Sequence, residues 1–186
     1  GKTYYYRVYA IDDNDTYAGS NEAQATTVPI TLPFVDPVDD LSQWDVLGGW
    51  GVETNGAEVC LSDSPGVQYG TSLGSANNYA LTAVDLTGAA WPVLRFADRF
   101  AFYDAATGDR GVLEVSPNGS SWYRVYGVTG VRNEWREQQI DLSRWRGQSN
   151  VRIRFYVESN TSLAGDGWFV DDVSVSELAP EGPAAL

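Results

Sequence analysis

Hydrophobic and polar residues alternate along several short stretches of the chain. In VRIRFYVES, apolar residues occupy every second position from Val151 to Val157, and arginine, tyrosine and glutamate occupy the positions around them. Successive side chains of a β-strand point to opposite faces, so this period of two predicts a strand with one buried face and one face in water. GVLEVSPNGSSWYRV, which begins at Gly111, predicts two strands joined at Asn118-Gly119, a pair that supplies the positive φ angles of a tight hairpin turn.

Similar runs rich in Val, Tyr, Phe and Trp recur at fairly even spacing, separated by clusters of Gly, Pro, Asn, Asp and Ser. No stretch keeps a helical period for long. Many short strands with turn residues between them are typical of an all-β sandwich or barrel. The predicted strands lie near 46–53, 57–61, 79–86, 92–103, 111–116, 122–128, 135–142, 151–158 and 167–176.

One of these strands carries two adjacent acids, in GDGWFVDDVSV at 165–175. Strict alternation places Asp171 on the same face as Phe169 and Val173, and Asp172 on the opposite face. An unpaired carboxylate among apolar side chains is costly to bury. We therefore expect Asp171 to have a partner, which could be a metal ion, an arginine of another strand or backbone N–H groups.

The composition excludes several function classes. The chain has no histidine, which removes the commonest acid/base group and zinc ligand, and its one cysteine, Cys60, is more typical of a small buried hydrophobe than of a nucleophile. A formal charge of −13, from 12 basic and 25 acidic residues, argues against nucleic acid as a partner. No apolar run approaches the ~20 residues of a membrane span. The absence of methionine indicates a piece of a longer precursor.

The first thirty residues differ in character from the remainder. TYYYRVYA at 3–10 alternates as a strand does, and a polar loop and a second short strand follow it. This segment resembles the last two strands of a fibronectin type III domain. We expect three parts: a fibronectin type III fragment at 1–29, a sandwich at 30–177, and a linker or tail at 178–186.

The body of the chain resembles the MAM-like jelly roll, the accessory domain found in secreted bacterial proteins of the immune inhibitor A type. The segments that carry the resemblance are DLSQWDVLGGWGV (40–52), LSDSPGVQY (61–69), YALTAVDLTGAAWPVLRFADRF (79–100), DRGVLEVSPNGSSWYRV (109–125), WREQQIDLSRWRGQ (135–148), VRIRFYVES (151–159) and DGWFVDDVSV (166–175). The resemblance implies an all-β chain with a jelly-roll β-sandwich, preceded by an N-terminal β-hairpin.

The same resemblance implies a structural calcium ion that joins the two ends of the domain. Its ligands would be acids of the entry segment, a turn and the last strand, since calcium takes six to eight oxygen ligands in flexible geometry. The alternative is that Asp171 is satisfied by an arginine or by backbone N–H groups, with no metal. The implied ligands are Asp36, Asp40, Asp63 and Asp171, with Asp172 in place of Asp171 as the second choice.

The resemblance also implies a non-catalytic function outside the cell. We expect an accessory or binding module of a larger secreted bacterial protein, acting in adhesion or in docking to proteins or to neighbouring domains of the same precursor. The alternative is a carbohydrate-binding module attached to a glycan-degrading enzyme, because seven Trp and eleven Tyr could supply rings that stack on sugars. By pattern, Trp44, Trp122, Trp135 and Trp168 are expected in the core, and Trp50, Trp91 and Trp145 are freer.

An enzyme would need an acid and a base, and the sequence marks none clearly. Asp98 and Glu114 could in principle face each other across a groove as the two carboxylates of a glycosidase. The serines have no histidine to activate them. We therefore expect no catalysis.

Overall fold

The computed structural model describes residues 3–6, 9–11, 17–19, 23–26, 30–55, 58–103, 108–160 and 164–178, and before residue 31 it describes the backbone alone. The strands are β1 (Thr3–Tyr6), β2 (Tyr9–Ile11), β3 (Tyr17–Gly19), β4 (Ala23–Thr26), β5 (Ile30–Thr31), β6 (Phe34–Asp36), β7 (Asp45–Leu47), β8 (Gly51–Asn55), β9 (Glu58–Ser62), β10 (Tyr79–Asp85), β11 (Pro92–Ala101), β12 (Arg110–Ser116), β13 (Tyr123–Val128), β14 (Val131–Asp141), β15 (Val151–Glu158) and β16 (Gly167–Glu177).

The main body consists of two β-sheets packed face to face. The first sheet has the order β13-β12-β15-β10, with β7 and β5 paired to β10, and the second has the order β14-β11-β16-β9-β8, with β6 paired to β16. Strands β9 to β12 alternate between the sheets, and so do β14 to β16. This order is that of a jelly roll made of two Greek keys, so the predicted fold class is confirmed.

The N-terminal strands pair among themselves. β1 is antiparallel to β4 and β2 is antiparallel to β3, which gives the expected hairpin. The assignment of this hairpin to a fibronectin type III domain stays a prediction, and so do the domain boundaries. Most of the predicted tail, residues 179–186, lies outside the described residues. No helix among the described residues is both long and apolar enough to cross a membrane.

Two local predictions are wrong because of turn geometry. The single strand predicted at 46–53 is two strands, β7 and β8, that belong to different sheets and are separated by a turn at Gly48, whose φ is +78°. The hairpin between β12 and β13 has a longer loop than the expected tight turn. Within it Gly119 has a positive φ, whereas the Asn118 side chain accepts hydrogen bonds from the N–H groups of Ser120 and Ser121.

The core is centred on Trp168, which is fully buried between the sheets. Its ring lies 5.4 Å from that of Phe155 and 6.4 Å from that of Trp50, centroid to centroid. A Cβ atom at Gly111 would lie 2.5 Å from the Trp168 ring, so this strand position requires glycine. The indole is thereby pressed against the backbone of β12.

The tryptophans follow the sequence pattern only in part. Trp44 and Trp168 are buried and Trp91 is 54% exposed, as expected. Trp50 and Trp145, expected to be freer, are buried at 4% exposure each. Two further tryptophans, Trp122 and Trp135, were expected in the core but are only partly buried.

Strand β16 contains a β-bulge at the two acids. The pairing with β11 shifts at this point, and Asp172 has a φ of +50°. Trp168 and Val170 before the bulge, and Val173 and Val175 after it, all belong to the core cluster. The extra residue reverses the alternation, as bulges do. The prediction that Asp171 shares the face of Val173 is therefore wrong.

Candidate ligand-binding face

The acids expected to bind calcium lie in different environments. Asp36, at the end of β6, is 6% exposed, and both of its carboxylate oxygens accept hydrogen bonds. Oδ1 accepts from the N–H of Val38 at 2.7 Å, and Oδ2 accepts from the indole N–H of Trp44 at 2.8 Å. Asp40 is exposed and accepts from the N–H of Ser42, and bonds with Ser42 lower the pKa of Asp40.

Asp63 is a buried residue that directly follows β9 and lies beside the start of β16. It is 1% exposed, and its Oδ1 accepts a hydrogen bond of 2.7 Å from the N–H of Trp168. Among the described residues, Oδ2 of Asp63 and the hydroxyl oxygen of the adjacent Ser64 are both buried without a hydrogen-bond partner. Burial, together with the charge of Asp166, raises the pKa of Asp63 to about 7.

Asp171 lies on the outer face of the second sheet. Its Oδ1 accepts a 2.7 Å hydrogen bond from the N–H of Asp172, which is one of the alternatives to a metal. Partial burial raises the pKa of Asp171 to about 6, and the charges of Asp172, Glu58 and Asp39 add to this increase. These four acids form an acidic patch.

The structure therefore does not bring the five predicted ligands together. Asp36 is opposite Val173, and Asp63 is bonded to Trp168, so Asp63 is about three strand positions, or roughly 10 Å, from Asp171. Among the described residues, no group of three or more His, Cys, Asp or Glu side chains is arranged to hold a metal ion. Calcium binding stays a prediction.

The outer face of the first sheet carries a different group of polar side chains. Arg154 of β15 forms two hydrogen bonds with one oxygen of Glu114 on β12, at 3.1 Å from Nε and 2.6 Å from Nη2. Its guanidinium group also lies 3.7 Å from the centre of the Trp122 ring, which is within the range of a cation–π contact. These contacts hold a planar charged group and an aromatic ring on the sheet surface.

Glu158 is the centre of a second set of contacts on this face. One carboxylate oxygen accepts from Nε of Arg110, and the other accepts from Nη2 of Arg124 at 2.9 Å and from the hydroxyl of Tyr156 at 3.2 Å. Partial burial opposes ionisation of Glu158, but Arg110 and Arg124 outweigh it and lower the pKa. Burial raises the pKa of Tyr156 to about 12, so this hydroxyl stays protonated.

A cleft of about 540 Å³ opens beside these side chains. One wall is the end of the first sheet with Arg110 and Glu158, and the other is the loop at 72–77. The loop is anchored by Ser159: its N–H donates to the carbonyl of Leu73, and its hydroxyl oxygen accepts from the N–H of Leu73. The same hydroxyl donates to the carbonyl of Gly70 at 2.7 Å. The volume lies within the range of small-ligand sites.

Hydroxyl and amide side chains line part of this cleft, beside the apolar side chains of Leu73 and Ala76. Ser72, Ser75, Asn77 and Asn160 line it together with the charged pair. Sequence analysis missed the site, although the alternation at 151–158 had placed Glu158 on the wet face of a strand. The pattern gave no indication that the loop at 72–77 folds over this face.

The carboxylate pair considered for a glycosidase does not exist in the fold. Asp98 is fully buried between the sheets, where its oxygens accept hydrogen bonds from Arg132, Gln138, Tyr126 and Trp168, whereas Glu114 is on the outer face. Burial raises the pKa of Asp98, although these partners oppose the increase. Asp98 has no access to a substrate.

The sequence of this chain was compared with protein families and with known proteins. No family model matches the chain. A segment of 135 residues, 69% of the chain, is 31% identical to Bacillopeptidase F of Bacillus subtilis (strain 168), of which the match covers 9%. The chain thus spans less than a tenth of that relative.

Solved structures with the same fold include adhesin and carbohydrate-binding domains. The K1 cleaved adhesin domain of Lys-gingipain from Porphyromonas gingivalis W83 superposes with a TM-score of 0.53 at 15% identity, over 79% of this chain and 99% of that domain. TmCBM61, solved in complex with β-1,4-galactotriose, has a TM-score of 0.50 at 19% identity, over 75% and 92%. The CBM22-2 xylan-binding domain of Paenibacillus barcinonensis Xyn10C has a TM-score of 0.50 at 13% identity, over 78% and 99%. At these identities the likeness establishes the β-sandwich fold alone.

Proposed function

We propose that this chain is a non-catalytic glycan-binding module of a larger extracellular protein, and that the glycan binds in the cleft between β12, β15 and the loop at 72–77. The observation that carries the proposal is the cleft itself, in which a fixed arginine–glutamate pair faces a wall of hydroxyl and amide groups. Solved sandwiches of this fold in complex with β-1,4-galactotriose or described as xylan-binding are in keeping with it.

The chemistry of the cleft suits a sugar. Each sugar hydroxyl both donates and accepts a hydrogen bond, so a binding surface needs donors and acceptors side by side. Arg110 supplies donors, Glu158 supplies an acceptor, and the hydroxyls of Ser72 and Ser75 can do both. Because Glu158 is held by three partners, it is ordered before a ligand arrives, which lowers the entropic cost of binding.

The same contacts argue against catalysis. A glycosidase needs one carboxyl group with a raised pKa to act as the general acid. The two carboxylates on this face are each paired with arginine, and the pKa of Glu158 is lowered. With its pKa lowered, the Glu158 carboxylate accepts hydrogen bonds from hydroxyls but does not supply a proton at neutral pH.

Calorimetric titration with a panel of soluble oligosaccharides tests the proposal. The panel contains β-1,4-galactotriose, xylo-oligosaccharides and oligogalacturonates. We expect one class to bind, and Arg110→Ala to weaken that binding at least tenfold, about 1.4 kcal/mol. The matched control is Arg136→Ala, because Arg136 is exposed on β14 of the opposite sheet. If no oligosaccharide binds, or if both variants weaken binding equally, the cleft is not a glycan site.

Docking to a neighbouring domain is the second candidate function, through a different surface. Trp91 is 54% exposed and Leu178 is 44% exposed, and the N–H of Leu178 donates to the carbonyl of Trp91 at 2.8 Å. The N–H groups of Ala90 and Trp91 donate to the carboxylate of Glu177, which fixes this corner. Exposed large apolar side chains held in place beside each other are typical of an interface. The match to a small part of Bacillopeptidase F is in keeping with a module that is connected to other domains.

The docking proposal is tested with a longer fragment of the same polypeptide. We expect Trp91→Ser to lower the melting temperature of that fragment and to leave the melting temperature of the present chain nearly unchanged. The reason is that an exposed ring stabilises the protein only where another domain covers it. An equal effect in both proteins would mean that Trp91 contacts nothing beyond this chain.

A further inference from the structure

We infer that the ligand of the cleft is an anionic glycan, one that carries carboxylates such as those of uronic acid residues. This inference rests on the proposed function and narrows it to a chemical class. The observation behind it is a surplus of arginine on one face of a protein that is otherwise strongly acidic.

The strands that line the cleft carry more positive than negative charge. The outward side chains of β12, β13 and β15 include two glutamates, Glu114 and Glu158, and twice as many arginines. Over the whole chain the acids outnumber the bases by 25 to 12. Among the described residues, Asp45 and Asp85 belong to β7 and β10, which lie on the other side of β15 from β12 and β13. Asp109 precedes β12, and its buried carboxylate accepts hydrogen bonds from the hydroxyl of Tyr69 and the N–H of Asn160. The arginines are Arg110, Arg124, Arg152 and Arg154.

The arginines beside the cleft keep free hydrogen-bond donors. Arg110 uses Nε for Glu158, and within the described residues its two terminal nitrogens have no partner. Arg124 uses Nη2 alone, for Glu158 and Tyr156. Their side chains are 47% and 43% exposed. Because a guanidinium group has five N–H donors, a second carboxylate can bind to the nitrogens that Glu158 leaves open.

One carboxylate cannot neutralise two guanidinium groups. Glu158 is shared by Arg110 and Arg124, so the group has a residual positive charge that a ligand carboxylate would balance. The overall charge of −13 does not prevent this, because at physiological ionic strength charges more than about 8 Å apart are largely screened. The local field at the cleft therefore decides which ligand is favoured.

The cleft favours a glycan over an acidic peptide. A peptide segment is usually held by apolar pockets for its side chains or by an exposed strand edge. The loop wall offers the hydroxyls of Ser72 and Ser75, which match sugar hydroxyls, and its apolar side chains are limited to Leu73 and Ala76. An acidic peptide is therefore a competing outcome of the experiment rather than the expected ligand.

The experiment compares three probes by calorimetry at two salt concentrations. They are an oligogalacturonate, the same oligomer with its carboxyl groups reduced to hydroxymethyl groups, and an oligoglutamate peptide of equal charge. We expect the oligogalacturonate to bind at least tenfold more tightly than the other two, and its binding to weaken as salt is added. Arg124→Gln should reduce its affinity at least tenfold, whereas Arg136→Gln on the opposite sheet should not change it.

Glu158→Gln separates this inference from a neutral-glycan site. Removing the carboxylate that Arg110 and Arg124 share leaves both arginines for the ligand, so affinity for oligogalacturonate should rise several-fold. At a site for neutral sugars, the loss of the acceptor should instead lower affinity.

Equal binding of the reduced oligomer overturns the anionic inference but leaves the proposed function intact. Equal binding of oligoglutamate overturns the preference for glycan, and binding of no oligosaccharide at all overturns the proposed function itself.

Discussion

Asp63 and Trp168 are joined across 105 residues of sequence by two hydrogen bonds. The Trp168 N–H donates to the Asp63 carboxylate at Oδ1 over 2.7 Å, and the Asp63 N–H donates to the Trp168 carbonyl over 3.3 Å. The pair ties the end of β9 to the start of β16, next to the most buried tryptophan of the core. The carboxylate that makes this link has one oxygen without a hydrogen-bond partner.

This carboxylate makes the stability of the fold depend on pH. The pKa of Asp63 is raised to about 7 by burial, so between roughly pH 4 and pH 7 the folded protein holds a proton that the unfolded chain has lost. Stability should therefore fall as pH rises through this window, by roughly 4 kcal/mol from this group. We expect Asp63→Asn, which stays neutral, to remove this part of the slope in urea unfolding at several pH values.

The pH experiment needs the Asp63→Asn variant because Asp171 also titrates between roughly pH 4 and pH 7. The raised pKa of Asp171, about 6, acts in the same direction, although it counts for less because this side chain is partly solvated. The useful quantity is thus the difference in unfolding free energy between wild type and Asp63→Asn. If that difference is constant from pH 4 to pH 8, Asp63 does not titrate as described.

The buried network around Asp98 should contribute strongly to stability. Asp98→Ala removes the acceptor of Arg132, whose side chain is only 16% exposed, and leaves the indole N–H of Trp168 unpaired. Breaking such a buried ion pair from one side typically costs about 3–5 kcal/mol. Urea unfolding measures the loss, with Glu137→Ala as the control, because Glu137 is exposed on the neighbouring strand and should change stability by less than about 0.5 kcal/mol. A similar loss of unfolding free energy in both variants would show that the hydrogen bonds of Asp98 do not contribute specifically to stability.

The bulge in β16 predicts an unusual order of substitutions at Asp172. With a φ of +50°, this position suits glycine and tolerates aspartate, but it is strained for a β-branched residue. Asp172→Val should cost about 1–2 kcal/mol, and Asp172→Gly should be neutral or slightly stabilising. The control is Ser174→Val on the same strand, where β-branching is tolerated. Equal costs for valine at both positions would mean that β16 has no bulge in solution.

Calcium binding is tested by thermal melting with calcium and with a chelator. If the acidic patch binds the ion, calcium at 100 times its dissociation constant should stabilise the fold by ~2.7 kcal/mol. The double variant Asp171→Asn, Asp172→Asn should lose this effect, because it removes two of the four carboxylates of the acidic patch. Asp63→Asn should retain it, since Asp63 is bonded to Trp168 at a different position of β16. A melting temperature that is the same in calcium and chelator would exclude the ion.

The strands that alternate regularly could be predicted from the sequence. Val151, Ile153, Phe155 and Val157 are buried, as the pattern indicated, whereas Tyr156, expected on the wet face, is also buried. The bulge could not be predicted, because one residue in the left-handed region changes the face of every later residue, and aspartate occupies both ordinary and left-handed backbone conformations. Asp171 was chosen as the first calcium ligand by strict alternation along the strand. The bulge in β16 interrupts that alternation.

By itself, the sequence determined the β class, the position of most strands, and the polar face of β15 with its arginines. These properties depend on residues close together in the sequence, and the alternation of apolar and polar residues shows them directly. Only the tertiary structure decided that β12, β13 and β15 lie side by side, that Arg110 and Arg124 share Glu158, and that the loop at 72–77 forms the opposite wall of the cleft. These contacts join residues far apart in the chain, and the physical reason for them is the burial of the core around Trp168, which brings both sheets and their loops into register.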